Sequence, residues 1–206
     1  MSWRSEKENG VFDTTRAGRL NNPERINELR PAELLKDIAG LRPGMTCVDI
    51  GSGTGVFSSR MAEIVGPAGV VYAVDNSEEM LNNLRSMNSP ANLKLVKADA
   101  TGTGLEGGCA DICLMAFILH EVASPEGILA EAYRLLKPGG IAVVVEWKME
   151  ANHGPPPRIR ISTEKAKLLF RQVGLLYEKY IDWSRNHYVI TGRKPEKTDP
   201  GIPERQ

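Results

Sequence analysis

Short apolar runs alternate along this chain with stretches whose apolar residues recur every three or four positions, which predicts strands and helices in turn. Cys47-Val48-Asp49-Ile50 is a short, β-branched-rich run that breaks off into glycines at 51, 53 and 55. Val56 to Val65 follows with apolar residues at 57, 61, 64 and 65, the spacing of a helix with one buried face. Val70 to Val74, Leu93 to Lys97, Ala110 to Ala116 and Ile141 to Val145 read as further strands, the last so apolar that it belongs in the middle of a sheet. Gly127 to Leu136 reads as a helix ended by Lys137-Pro138-Gly139-Gly140, and Thr163 to Val173 as another closing at Gly174. Leu176 to Ile181 and His187 to Thr191, separated by Asp182 to Asn186, suit a hairpin. Upstream, Asn22-Pro23 is a cap followed by a first-turn proline, and a second helix is expected from about Pro31 to Ala39, stopping at Gly40. The alternation predicts a mostly parallel sheet covered by helices on both faces.

Strand, glycine turn and helix together let a backbone approach a nucleotide-like ligand closely and aim a helix N-terminus at it. The spacing departs from the dinucleotide fingerprint G-x-G-x-x-G, because Val56 stands where the third glycine belongs. Asp75 ends the second predicted strand, the position from which a carboxylate accepts both hydroxyls of a ribose. Its plainer reading is an acid at a helix start, beside Asn76, Ser77 and Glu79. Asp99 ends the third strand and places a second carboxylate within reach of an adenine amine.

VDIGSGTG, VYAVDNSEEM, LVKADA and LLKPGG, in that order and spacing, resemble the successive motifs of class I S-adenosylmethionine-dependent methyltransferases. The resemblance runs from about residue 31 to residue 193, and within the family it is nearest the small members related to the ubiquinone and menaquinone C-methyltransferases. It implies a Rossmann-like, doubly wound α/β fold, a seven-stranded, mostly parallel sheet with an antiparallel edge strand. It implies S-adenosyl-L-methionine as cofactor, with Asp49, Gly51, Ser52, Gly53 and Gly55 at its methionine end and Asp75 on the ribose. Asn76 would lie beside the adenine, Asp99 would accept from its amine, the Ala100 amide would face its ring nitrogen, and Phe117 would border the cofactor.

Composition narrows the class further. Lysine plus arginine and aspartate plus glutamate each number 26 in 206 residues, so no global basic field argues for nucleic acid. The polar start, Met1 to Glu8, lacks a signal peptide's apolar stretch, and no window approaches the ~20 apolar residues of a membrane helix. Three cysteines suit reduced thiols, and the expected place is the cytoplasm. One domain over residues 21–193 is expected, its first part (21–42) forming cap helices, between tails at 1–20 and 194–206. No metal site is expected, since lone cysteines do not make one. The oligomeric state is not legible.

Methyl transfer from a sulfonium needs positioning and dryness, and needs a base only when the acceptor must lose a proton. His120, in Phe117-Ile118-Leu119-His120-Glu121 after the fourth strand, is the candidate base, with Glu121 orienting it or balancing charge. The alternative is that His120 supports the loop while Glu121 starts the next helix. Trp147 and Phe117 are candidates to wall an apolar acceptor, and Arg158 and Arg160 to bind an anionic one; core packing and a solvated face are the plain alternatives. The expected function is methylation of a small-molecule acceptor. A catalytically inactive cofactor-binding module and an NAD-type oxidoreductase are the alternatives, the latter opposed by Val56 and Asp99.

Overall fold

The apolar runs become one sheet. In this computed structural model, which describes residues 17–86 and 89–196, the strands are β1 (Thr46–Ile50), β2 (Val70–Asp75), β3 (Leu93–Lys97), β4 (Ala110–Ala116), β5 (Leu136–Trp147), β6 (Leu176–Asp182) and β7 (His187–Arg193). Their order is β3-β2-β1-β4-β5-β7-β6. The first five pair in parallel, with Cys47 opposite both Val71 and Ile112, and β7 runs antiparallel to β5 and to β6. This is the doubly wound fold expected from the sequence. The reversed strand, β7, lies one place in from the edge, because the β6–β7 hairpin folds back against β5 and leaves β6 outermost and largely exposed.

Side-chain alternation along the strands builds two cores. Val48, Ile50, Cys113 and Met115 face α6 (Pro125–Leu135) and α7 (Thr163–Gln172), burying Ile128, Leu129, Leu169 and Phe170 with them. Cys47, Ile112 and Leu114 face the opposite way, toward Phe57, Met61 and Val65 of α4 (Val56–Val65). The remaining helix on the β3 side is α5 (Glu78–Ser86).

Three local differences have physical causes. The helix expected over Gly127–Leu136 runs from Pro125 to Leu135, because Ser124 caps it through a bond from the Gly127 amide. Lys137-Pro138-Gly139-Gly140 is no loop: it is taken into β5 as a bulge between the pairs Ala110–Leu136 and Ile112–Ile141, with Gly139 at φ 76°. The helix expected over Pro31–Ala39 is one turn, α3 (Pro31–Glu33), that widens into a π turn at Leu34–Ile38, where the Ala39 amide donates to the Leu34 carbonyl. The tail expected over residues 1–20 lies outside the described residues up to position 16, and its end forms α1 (Ala17–Leu20). The tail expected from 194 lies outside them from position 197, whereas Lys194 donates to the carbonyls of Tyr133 and Leu136. No helix among the described residues is long and apolar enough to cross a membrane.

The N-terminal helices are fastened over the carboxyl edge of the sheet. α2 (Pro23–Leu29) ends at Arg30, in the left-handed region at φ 44°. The Arg30 guanidinium donates to the Trp183 carbonyl at 2.7 Å and stacks 4.1 Å from that indole, whose N–H donates to the Leu29 carbonyl at 2.7 Å. The β6–β7 turn thereby holds the cover of the cleft.

Gly192, opposite Ala142 in β5, leaves room for a ring: a Cβ there would stand 2.5 Å from Phe170 Cδ2. Gly192→Ala should therefore destabilise the fold by about 1–3 kcal/mol through overpacking, read as a lower urea midpoint at unchanged slope.

Candidate functional site

The strand order reverses between β1 and β4, and in such sheets ligands bind outside the carboxyl ends at that point. A cavity of about 480 Å³ lies there, within the size range of small-molecule sites. The loops after β1, β2, β3 and β4 form its walls, and Leu20 and Arg25 cover it.

The loop after β1 is held in place by backbone and carboxylate. The Gly51 and Ser52 amides both donate to the Val74 carbonyl at 2.9 Å. Gly51 sits at φ 76°, and a Cβ on it would stand 2.3 Å from Ile118 Cδ1, so only glycine fits. Asp75 fastens the next turn: its Oδ2 accepts from the Gly53 amide and its Oδ1 from the Ser77 amide, both at 2.8 Å. The carboxylate therefore shapes the loop as well as facing the cavity. Each oxygen retains a lone pair for a ligand. The Ser52 hydroxyl lies buried on the same wall with no hydrogen-bond partner among the described residues. Such a group calls for a ligand.

Asp49, at the end of β1, is 2 % exposed and lines the cavity. Ser58 donates to its Oδ2 at 2.5 Å. Burial, reinforced by the charge of Asp75 and opposed by the Ser58 bonds, pushes its pKa up to about 7. A carboxylate so placed is an incomplete ion pair that a ligand's cation would complete. Across the cavity, the Thr101 hydroxyl and amide donate to Asp99 Oδ1 at 2.6 and 2.8 Å and hold this carboxyl below the usual range. Asp99 Oδ2 accepts no bond among the described residues. Asn76, Ala100 and Phe117 also line the cavity.

Five expected site residues are elsewhere. Gly55 does not reach the wall; at φ 82° it begins α4, and a Cβ on it would strike Leu84 Cδ1 at 2.2 Å, so its constraint is helix packing. His120 is 7 % exposed and stands behind the wall. Its Nδ1 lies 2.8 and 3.0 Å from the two oxygens of Glu146, a fully buried carboxylate that also accepts from the His120 and Trp147 amides. The residue on the wall is Glu121, whose Oε1 is 3.8 Å from His120 Nε2. Trp147 sits behind Phe117, ring centroids 5.6 Å apart. Arg158 is exposed on a 3₁₀ turn (Pro157–Ile159) and does not line the cavity. Arg160 is no anion site either: its guanidinium donates to the carbonyls of Lys148, Met149, Ala151, His153 and Pro155, which knots the loop after β5 together.

Two functional candidates escaped the sequence reading. Glu146 ends an apolar run, where a lone acid predicts nothing about its partner. Arg25 follows the Asn22-Pro23 cap by two positions, and only the fold swings it over the cavity. Its guanidinium lies 5.1 Å from the Phe117 centroid and donates to the Leu20 carbonyl; burial, against the pull of Glu28, lowers its pKa to about 10. Among the described residues no group of three or more His, Cys, Asp or Glu stands placed to hold a metal ion.

Known proteins share this fold. Residues 48–144 match a family described as a methyltransferase domain. The chain is 34 % identical over 120 residues to the ubiquinone/menaquinone biosynthesis C-methyltransferase UbiE of Ectopseudomonas mendocina, covering 56 % of this chain and 47 % of that protein. Its counterpart from Pasteurella multocida is 31 % identical over 115 residues, covering 54 % and 43 %. The chain thus spans about half the length of the curated relatives it matches. A S-adenosylmethionine-dependent methyltransferase from Aquifex aeolicus superposes with a TM-score of 0.83 at 28 % identity, over 89 % of this chain and all of that one. A type 11 methyltransferase structure from Sulfolobus solfataricus, at 22 % identity and a TM-score of 0.68 over 86 % and 98 %, shares the fold.

The raised pKa of Asp49 sets a stability test. In the unfolded chain the carboxyl ionises near 3.8, in the folded chain near 7, so stability is fully present at the acid end and is lost as pH climbs between the two. Asp49→Asn keeps an acceptor for Ser58 and removes the titration. Its stability advantage over the wild type should widen from pH 4 to 7 by up to about 1.4 kcal/mol per unit, then level off. Urea unfolding of both proteins across that range checks this; a constant gap would mean that Asp49 is ionised in the fold throughout.

Proposed function

We infer that this chain is a class I S-adenosyl-L-methionine-dependent methyltransferase, resembling the ubiquinone/menaquinone C-methyltransferases, that methylates a small-molecule acceptor. The observation carrying this reading is the set of valences left open around one cavity: the orphaned Ser52 hydroxyl, the buried Asp49 carboxyl bonded only by Ser58 among the described residues, the spare lone pairs of Asp75 and Asp99 Oδ2. They match the cofactor group by group. Asp49 suits an ammonium, Ser52 a carboxylate, Asp75 the vicinal hydroxyls of a ribose, and Asp99 with the Ala100 amide an adenine edge. S-adenosyl-L-methionine, when bound, supplies a methyl group on a sulfonium already activated toward a nucleophile.

The chain's own contribution is position, dryness and proton handling. Gly51 and Gly53 keep side chains out of the approach, and Leu20 and Arg25 close over it. Phe117, backed by Trp147, offers a flat apolar wall to an acceptor. The names of the curated relatives support a quinone-type ring as that acceptor and a carbon as the atom methylated. Glu121 Oε1 takes the acceptor's proton at the wall, in contact with His120 Nε2. Glu146 holds the opposite ring nitrogen and so presents Nε2 toward Glu121. His120 is then a positioning residue behind the group that meets the acceptor.

Calorimetry with S-adenosylhomocysteine tests the cofactor assignment. Wild type should bind it and not NAD. Asp75→Ala should weaken binding by about 1.5–3 kcal/mol, the scale of hydrogen bonds to a charged group. It should also lower the unliganded melting temperature, since the Gly53 and Ser77 amides lose their acceptor. Unchanged affinity would remove Asp75 from the ribose.

Kinetics test the proton path. Glu121→Gln should cut turnover by about 10²–10⁴ at nearly unchanged S-adenosylhomocysteine affinity. Glu146→Gln should lower turnover less and displace the pH profile, because it changes how His120 is held. Full activity in Glu121→Gln would show that the acceptor arrives without a proton to lose.

A further inference from the structure

His187, at the start of β7, is 1 % exposed, and its Nε2 is buried with no hydrogen-bond partner among the described residues. Its other nitrogen is committed. Nδ1 lies 3.0 Å from the Ser184 hydroxyl, and that hydroxyl donates its single proton to Glu28 Oε1 at 2.9 Å. Asn186 donates to the same Glu28 oxygen at 3.0 Å. With the serine proton spent on Glu28, Nδ1 must carry the hydrogen, so Nε2 presents a bare lone pair on the side of the ring away from Ser184. Burial keeps the imidazole neutral, its pKa down near 4.

The lone pair sits among aromatic rings. The His187 centroid is 4.4 Å from that of Trp147 and 5.1 Å from that of Phe117, both meeting it edge to face. Such surroundings give a resident water few of the two to four polar partners it needs. Phe117 is the partition: it lines the cavity under Arg25 on one side and touches His187 on the other. Its backbone is at φ 62°, an uncommon conformation for a bulky residue and one that clusters at ligand sites.

We propose that His187 Nε2 is the hydrogen-bond acceptor of a subsite for the methyl acceptor, reached when the Phe117 ring swings aside, and that this subsite selects a flat aromatic molecule carrying a hydroxyl. Glu28 and Ser184 act as positioning residues that hold His187 in the accepting tautomer. The proposal rests on the methyltransferase reading for the identity of the neighbouring cavity, but its test does not need turnover. A ring ether of the same shape, having no donor, leaves Nε2 unpaired, and a site built around a buried acceptor discriminates strongly against such an analogue.

The experiment is nitrogen NMR of the full chain labelled with ¹⁵N-histidine, whose three histidines are distinguished with His187→Phe, in the presence of S-adenosylhomocysteine. The probes are 1,4-dihydroxynaphthalene under reducing conditions and 1,4-dimethoxynaphthalene. The expected result is an Nδ1–H tautomer at His187, an Nε2 resonance that moves from the free to the hydrogen-bonded range with the diol, and at least tenfold weaker binding of the diether. His187→Phe should bind the diol at least tenfold more weakly at unchanged S-adenosylhomocysteine affinity. Because the resonance is followed in the wild type, misfolding of the variant does not rescue the idea. Equal binding of the two probes, no binding of the diol, an unmoved Nε2, or an Nε2 already bonded to water before titration would each overturn it. Absence of S-adenosylhomocysteine binding beside a responsive Nε2 would retire the methyltransferase reading and keep the subsite.

Discussion

The carboxylate of Asp75 holds the cleft in shape. It stands at the tip of β2, yet its two oxygens take amides from the loop after β1 and from its own helix start. Without that acceptor the Gly53 amide would face the cavity unpaired, and a loop with several glycines at positive φ would rest on the Val74 carbonyl and its own Gly55-to-Ser52 turn bond. One carboxylate therefore carries two tasks, tying adjacent loops and facing a ligand. The two reinforce each other, because a ligand that binds Asp75 meets a loop already ordered by it.

Three carboxylates organise the rest of the site. Asp49 and Glu146 are buried in strands, Glu28 is partly exposed on α2, and each is resolved differently. Glu146 has the His120 ring and two amides; Glu28 has the Ser184 hydroxyl and the Asn186 amide. Asp49 has one serine and a raised pKa. The least satisfied of the three is the one on the cavity wall, where a bound cation can complete it.

The cover of the cleft is built from both ends of the chain. α2 supplies Arg25 and Glu28, and the β6–β7 turn supplies Trp183, Ser184 and Asn186, which grip it. The same hairpin that gives the sheet its reversed strand thus decides how the cofactor side and the aromatic side of the site meet. Phe117 lies at that junction, touching Arg25, Trp147 and His187.

Much of this was legible in the order of residues. A glycine turn between a β-branched run and an amphipathic helix permits few backbone paths, so the turn itself and the acids Asp75 and Asp99 at the strand tips could be read from local spacing, whereas Asp49 and Ser52 entered through the resemblance to the methyltransferase motifs. The strands and the hairpin followed from periodicity, because a side chain's face within an element depends only on its own neighbours. What local pattern cannot carry is which distant side chains meet. His120 looked like the group at the wall, and the packing of β5 turned it toward Glu146 and left Glu121 there. Arg160 looked like an anion site, and the loop closing around it turned its guanidinium onto five backbone carbonyls. Gly55 looked like cradle, and the crossing of α5 made it a packing glycine. Arg25, Glu146 and the Glu28–Ser184–His187 relay owe their roles to contacts across tens of residues. Their chemistry is therefore a property of the tertiary structure, which sets burial and partners, whereas the nucleotide-like cradle is a property of the sequence, whose short-range sterics admit little else.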